Sequence, residues 1–187
     1  MITPGKLAST RAYTGKVIDV DVDQVRFPDG SLGEIEMIRH PGASAIVPIM
    51  TDPQSVDPEV LLIRQYRYAA TSYLYEIPAG RREVGETAQD CAIRELKEET
   101  GCTARQVERL TSVLTTPGFT DERIHLFIAS GLEIGETNRE PDEFMELRIF
   151  PLSAALKMVE TGEISDAKTA LSLLYVAYFR AKGKRQA

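Results

Sequence analysis

The chain has 187 residues, of which 43% are hydrophobic and 27% charged, and a net charge of −6. That composition fits one globular domain of ordinary size, excludes a disordered chain, and argues against nucleic-acid binding by phosphate neutralisation. A small anionic substrate stays compatible, because local arginines or metal ions can reverse the field at one site. The two cysteines, Cys91 and Cys102, and the two histidines, His40 and His125, have no zinc-ligand spacing. "MITPGKLAST" lacks the apolar stretch of a signal peptide, and the longest apolar run, "LSLLYVAYF", is too short to span a bilayer. The expectation is a soluble, cytoplasmic protein with no membrane and no nucleic-acid partner.

In chain order, "VIDVDVDQV" (17–25) alternates apolar and polar residues, the period of a half-buried strand. "FPDGS" supplies a turn and "GEIEMIR" alternates again, so residues 1–40 are expected to carry a β-hairpin. Asp19, Asp21 and Asp23 imitate the start of a calcium loop. Gln24 and Gly30, however, stand where that loop needs glycine and glutamate, so the three aspartates read as strand residues. "ASAIVPIM" and "VLLIRQY" are apolar enough for central strands, with "TDPQSVDPE" as the loop between them. Tyr73 and Tyr75 in "YLYEIPAG" are expected in the core. A helix is predicted over 87–100, capped by Thr87 and stopped by Gly101. "VERLTSVL", "IHLFIAS" and "FMELRIF" read as strands. Helices at 153–160 and 166–180 close the chain, with Asp166 as a cap. Strands mixed with three helices suggest an α/β sandwich over residues 41–187, built on a mixed sheet.

The chemistry concentrates in "RELKEETG". Glu95 lies three and four residues before Glu98 and Glu99, so the three share one helical patch. They also sit at the carboxyl-terminal end of the helix, where the macrodipole is already negative. Arg94 and Lys97 relieve only part of this. By themselves three glutamates fit either a solvated acidic face or a site for a hard cation such as Mg2+ or Mn2+. The buried stripe of the same helix is Ala88, Ala92 and Leu96.

The wider stretch "GRREVGETAQDCAIRELKEETGC" decides between them. Gly80, Glu86, Arg94, Glu95, Leu96, Glu98, Glu99 and Gly101 fall at the spacing G-x5-E-x7-R-E-U-x-E-E-x-G-U. This resembles the Nudix box, with Cys102 standing where the pattern usually has an aliphatic residue. "EIPAG", "TTPGFTDE", "PDEFMEL" and "GEISDAKTALSLL" look like the ADP-ribose pyrophosphatase branch of the Nudix hydrolases. Pro117, fifteen residues after the box closes, falls where that branch has its proline.

That resemblance implies a Nudix-type α/β/α sandwich, two to three Mg2+ ions, and hydrolysis of ADP-ribose to AMP and ribose 5-phosphate. GDP-mannose or another nucleoside diphosphate sugar is the alternative substrate, and a nucleotide-sensing module without catalysis is a third reading. A homodimer built with the amino-terminal hairpin is expected. The resemblance further implies metal ligation by Glu95, Glu99 and the Ala79 carbonyl, with Glu98 as ligand or orienting carboxylate. Glu143 is the expected general base or further ligand, with Glu140 its alternative in "NREPDEFMEL". Glu86 and Arg94 are expected to pair and hold loop to helix. Arg67 either reaches the phosphates or forms a structural salt bridge, and Arg81 or Arg82 faces the substrate. Gly118, Phe119 and Glu122 are expected on the substrate side. Tyr13, Phe27, Tyr66 and Tyr68 are candidates to stack on the base, and His125 reads as structural.

Overall fold

A computed structural model of the protein describes residues 3–136 and 145–183. Its contacts divide into two compact units, one reaching to Gly42 and taking in Val113–Ile124, the other built from Ala43–Ser112 and the chain from His125 onward.

The first unit contains β1 (Gly5–Thr14), β2 (Asp19–Arg26) and β3 (Leu32–Arg39), in that order across an antiparallel sheet. The expected hairpin is β2–β3. Its turn closes with Gly30 N–H donating to the Phe27 carbonyl at 2.9 Å, while the Asp29 carboxylate accepts from Ser31 N–H, also at 2.9 Å. β1 extends the hairpin to three strands. Sequence reading misses it because "GKLASTRAYT" is exposed along its whole length, so no buried face imposes a period of two. Backbone pairing to β2 defines it instead, with register shifts after Lys6 and Arg11.

The aspartates of β2 sit on the more buried side of the strand, opposite to the usual hydrophobic-in pattern. Asp21 and Asp23 are 7% and 5% exposed. Arg11 pairs with Asp19 and Asp21. Arg39 pairs with Asp21, Asp23 and, at 3.2 Å, Asp121. Hydrogen bonds from Arg11 and Arg39 hold the Asp21 carboxyl below the usual carboxylate range, and those from Ser9 and Arg39 do so for Asp23. The strand reading of the three aspartates is therefore the one the structure has.

The second unit is built from β4 (Ala43–Pro48), β5 (Glu59–Arg67), β6 (Ser72–Glu76), β7 (Ala79–Arg81), α1 (Ala88–Thr100), β8 (Cys102–Leu114), β9 (Arg123–Ile134), β10 (Met145–Pro151), α2 (Leu152–Thr161) and α3 (Ala167–Gly183). Where one mixed sheet was expected, two are found, with strand orders β10-β5-β6 and β7-β4-β9-β8. Every residue of β4 is buried, as in a strand covered on both faces. On one side Ala92 and Leu96 of α1 pack with Ile46, Cys102, Phe127 and Ala129. α3 packs on β4 and β6, and α2 on α3, β5 and β10. The architecture is an α/β/α sandwich. Cys102, at the box position usually held by an aliphatic residue, is 1% exposed and fills that role as a small hydrophobe. Tyr73 departs from its expected place in the core. It is half-exposed, edge-on to Tyr66, with the Arg64 guanidinium 4.1 Å from its ring centroid.

Because Asp21 and Asp23 titrate low in the folded chain, their ion pairs stabilise it above the ordinary aspartate range. That stabilisation is lost as pH falls through the folded values. Arg39→Leu should therefore lower Tm most near pH 7, with the gap to wild type closing below about pH 4. A gap of constant size in thermal melts from pH 7 to pH 3 would show that these pairs contribute nothing.

Candidate active site

α1 positions the glutamates. Its start is fixed by Thr87, whose hydroxyl accepts from Asp90 N–H at 3.1 Å. Gly101 ends it in the left-handed region (φ 74°), donating to the Lys97 carbonyl at 2.8 Å. A Cβ there would overlap the Gly135 carbonyl, so glycine is required twice over. With the stripe of Ala92 and Leu96 facing the sheet, Glu95 and Glu99 are turned inward one helical turn apart, 9% and 5% exposed.

Both carboxylates abut the chain leaving β6. Glu99 Oε2 accepts from Ala79 N–H at 3.0 Å. The Glu95 carboxylate lies directly on Gly80, where an added Cβ would overlap its Oε1 and Cδ. The φ of Gly80 is not positive, so the reason for glycine here is this close approach.

Arg94 holds the loop to the helix. Its Nε and Nη2 donate to the two oxygens of Glu86 at 2.8 and 3.1 Å, and Nη2 also reaches the Arg81 carbonyl at 3.1 Å. Nη1 donates to Glu95 Oε1 at 2.7 Å and Glu98 Oε2 at 2.9 Å. The paired guanidinium pushes the Glu86 carboxyl down to about 2. The Glu86 carbonyl in turn accepts from Arg82, so that side chain is spent on the loop's own geometry. Burial pushes the neighbouring Cys91 thiol up to about 11, which leaves it protonated at neutral pH and poorly suited to be a nucleophile.

A second buried network lies beside this one. Arg67 forms a two-pronged pair with Glu76 at 2.6 and 2.8 Å, and Lys168 binds the same carboxylate. Burial alone would raise the Glu76 carboxyl, but Arg67 and Lys168 more than offset it and hold it below its ordinary value. Arg67 is thus the salt bridge of the two roles open to it from sequence, and it also feels the charge of Glu99. Glu76 and Thr169 escaped sequence reading. The signal available was a lone charge inside the apolar stretch "YLYEIP".

Ala79, Glu95, Glu98 and Glu99 are therefore brought together, with Arg81 contributing its backbone carbonyl. Gly118, Phe119 and Glu122 belong to the first unit. There Glu122 accepts from the Thr115 hydroxyl at 2.8 Å and approaches His40 Nε2 at 3.6 Å. Phe119 is half-exposed, and the space around the Gly118 Cα is open. Glu140 and Glu143 lie outside the described residues. Among the described residues no three carboxylate, histidine or cysteine side chains converge as a metal cage. His125 is structural, its Nδ1 2.6 Å from the Ser112 hydroxyl.

The NUDIX domain model matches residues 40–172. The chain belongs to the Nudix family. Over 172 residues, 91% of this chain and 90% of the relative, it is 40% identical to the ADP-ribose pyrophosphatase of Bacillus subtilis (strain 168). With the same coverage of both chains it is 37% identical to the methanol dehydrogenase activator of Bacillus methanolicus. A solved structure titled as an ADP compounds hydrolase superposes with a TM-score of 0.82 over 100% of this chain and 98% of its own, at 21% identity, a likeness of fold. Among the described residues no helix is long and apolar enough to cross a membrane.

In the packing of this Nudix box, a side chain at Gly80 meets the Glu95 carboxylate, which must move to admit it. Gly80→Ala should displace Glu95 and cost about 1–3 kcal/mol, the usual range for overpacking. Urea unfolding would measure it, and an unchanged midpoint would mean that Glu95 moves aside freely.

Proposed function

We propose that this chain hydrolyses the pyrophosphate bond of ADP-ribose, adding water across P–O–P to release AMP and ribose 5-phosphate. The observation that carries the reading is the pair of buried glutamates, Glu95 and Glu99, set against the Ala79–Gly80 backbone. Support for the substrate comes from the Bacillus subtilis relative and from the position of Pro117.

The donors gathered there are hard oxygens: the carboxylates of Glu95, Glu98 and Glu99 and the carbonyl of Ala79. That set fits Mg2+ or Mn2+. Beside it, the carboxylates of Glu86, Glu95 and Glu98 share the Arg94 guanidinium, and a divalent cation would balance the charge of the cluster. Glu95, Glu99 and Ala79 would hold the metal, with Glu143 as a further ligand. A cation so bound lowers the pKa of a coordinated water and neutralises the phosphoryl oxygens. The chain's own part is to orient. Arg94 fixes Glu95 and Glu98, and the Ala79 N–H fixes Glu99, so that the carboxylates do not have to be ordered when substrate arrives. Glu143 takes the proton of the attacking water, with Glu140 as the neighbouring candidate. Arg81, Gly118, Phe119 and Glu122 are the proposed substrate contacts. Arg67, tied to Glu76 but within the field of Glu99, lends positive potential to the phosphates.

The active species is proposed to be a homodimer formed through residues 1–40. The exposure of Leu7, Tyr13, Val17 and Leu32 on the first unit supports this. A reducing, cytoplasmic setting fits the two free buried cysteines.

The test is product release from ADP-ribose, ADP-glucose, GDP-mannose and NADH, with Mg2+ and then with chelator. The expected result is chelator-sensitive AMP formation, fastest on ADP-ribose. A different best substrate would replace the substrate assignment. Binding without turnover on any of them would favour a sensor. Glu99→Gln is expected to cut kcat at least 100-fold with Tm held, more than the about 10–100-fold cost of losing a group that only orients a metal ligand. Near wild-type turnover in that variant would remove Glu99 from the metal site. Between the loop glutamates, Glu143→Gln should lower kcat more than it weakens Mg2+ activation. If Glu140→Gln does so instead, the base is Glu140.

A further inference from the structure

The start of α3 is tied to the turn that carries Ala79 and Gly80. Asp166 caps the helix, accepting from Thr169 N–H at 2.9 Å and from its hydroxyl at 2.6 Å. That hydroxyl, fully buried, accepts from Ile77 N–H at 2.9 Å. Lys168, one residue earlier, binds Glu76, one residue before Ile77. Two consecutive residues of α3 thus grip two consecutive residues at the end of β6. The chain continues with the Pro78 carbonyl accepting from Ile46 N–H at 3.0 Å and Ala79 N–H donating to Glu99. Each residue from Glu76 to Ala79 therefore has a hydrogen-bonded anchor, and α3 supplies the first two.

We propose that Thr169 is a positioning residue for the cation site, setting the backbone of Ile77–Gly80 so that the Ala79 carbonyl and the Glu95 and Glu99 carboxylates share one geometry. The proposal rests on the reading of that cluster as a divalent-cation site. The alternative role for an α3 cap is purely structural, but a residue serving only the helix needs no bond to a strand end two positions from a proposed ligand. Ile77 is followed by a proline, which has no N–H of its own. The last backbone N–H available to anchor the chain before Ala79 is therefore the one Thr169 accepts. Without it, an amide buried among apolar side chains would lose its acceptor, and the turn would shift to find another.

Thr169→Val keeps the volume and removes the acceptor, while Thr169→Ser keeps the acceptor. Mn2+ binding to the metal-free protein, read from the paramagnetic resonance of unbound Mn2+ with no substrate present, gives the first measurement. Steady-state kinetics on ADP-ribose gives the second. The expected result for Thr169→Val is Mn2+ binding weaker by about tenfold, a matching loss in kcat and a KM near wild type, in line with the cost of disturbing groups that orient metal ligands. Thr169→Ser should restore most of both. Wild-type Mn2+ affinity and kcat in Thr169→Val, whatever its Tm, would overturn the proposal. A wild-type chain that binds no Mn2+ would overturn the cation-site reading and the proposal with it. If Thr169→Val does not fold, amide exchange on the wild type decides. Ile77 N–H should be among the slowly exchanging amides, and exchange as fast as a surface loop would overturn the proposal.

Discussion

The contact on which the site depends is the seating of two glutamates of α1 against the backbone of Ala79 and Gly80. Glu99 is held by the Ala79 N–H, and Glu95 lies against Gly80, where the absence of a Cβ leaves room for its carboxylate. The depth of that seating is set on the same inward side of the helix, where Ala92 and Leu96 meet Ile46 and Phe127. The apolar stripe and the two inward glutamates are thus neighbours on one face, and one packing distance serves both.

Charge organises the two units differently. In the first, the buried aspartates of β2 are answered by Arg11 and Arg39, which reach them from the neighbouring strands. In the second, one guanidinium, Arg94, touches the three carboxylates of Glu86, Glu95 and Glu98, while two cations, Arg67 and Lys168, share the one carboxylate of Glu76.

What was legible in the sequence follows from this physics. Residues that repeat a period against a covered face were readable: Ala88, Ala92 and Leu96 on α1, and β4, apolar but for Ser44. So were residues with a fixed backbone duty, Thr87 at the cap and Gly101 at the stop. β1 was hidden because an exposed strand needs no pattern. The inverted burial of β2 was hidden because alternation gives two faces without saying which is inside, and ion pairs let the polar one turn inward. Tyr73 was misplaced for a related reason, since an aromatic at strand spacing marks a face, not a core. Within the site, local spacing along α1 brought Glu95 and Glu99 together in advance. Glu76 with Lys168, and Ile77 with Thr169, are each 92 residues apart, and no short-range period can announce such partners.

The same division separates chemistry from selectivity. Glu95 and Glu99 meet the Ala79–Gly80 backbone on one helix and one short strand, and an arrangement so local imposes a motif on the sequence. Recognition of a base or sugar imposes no comparable local rule, because stacking faces and hydroxyl partners can come from any surface with the right shape. The loop from Thr115 to Glu122 illustrates the consequence. The Thr115 hydroxyl holds Glu122, and the His40 and Arg39 backbone and side chain hold Asp121, which fixes the loop's path within its unit. Gly42 N–H donates to His40 Nδ1, so the proton of the neutral ring resides on Nε2, facing Glu122. The acids of "TTPGFTDE" thus anchor the loop, and Phe119 stays half-exposed on it. The motif is legible in sequence because it fixes the path of a loop, whereas what such a loop meets is written in surface shape and not in residue spacing.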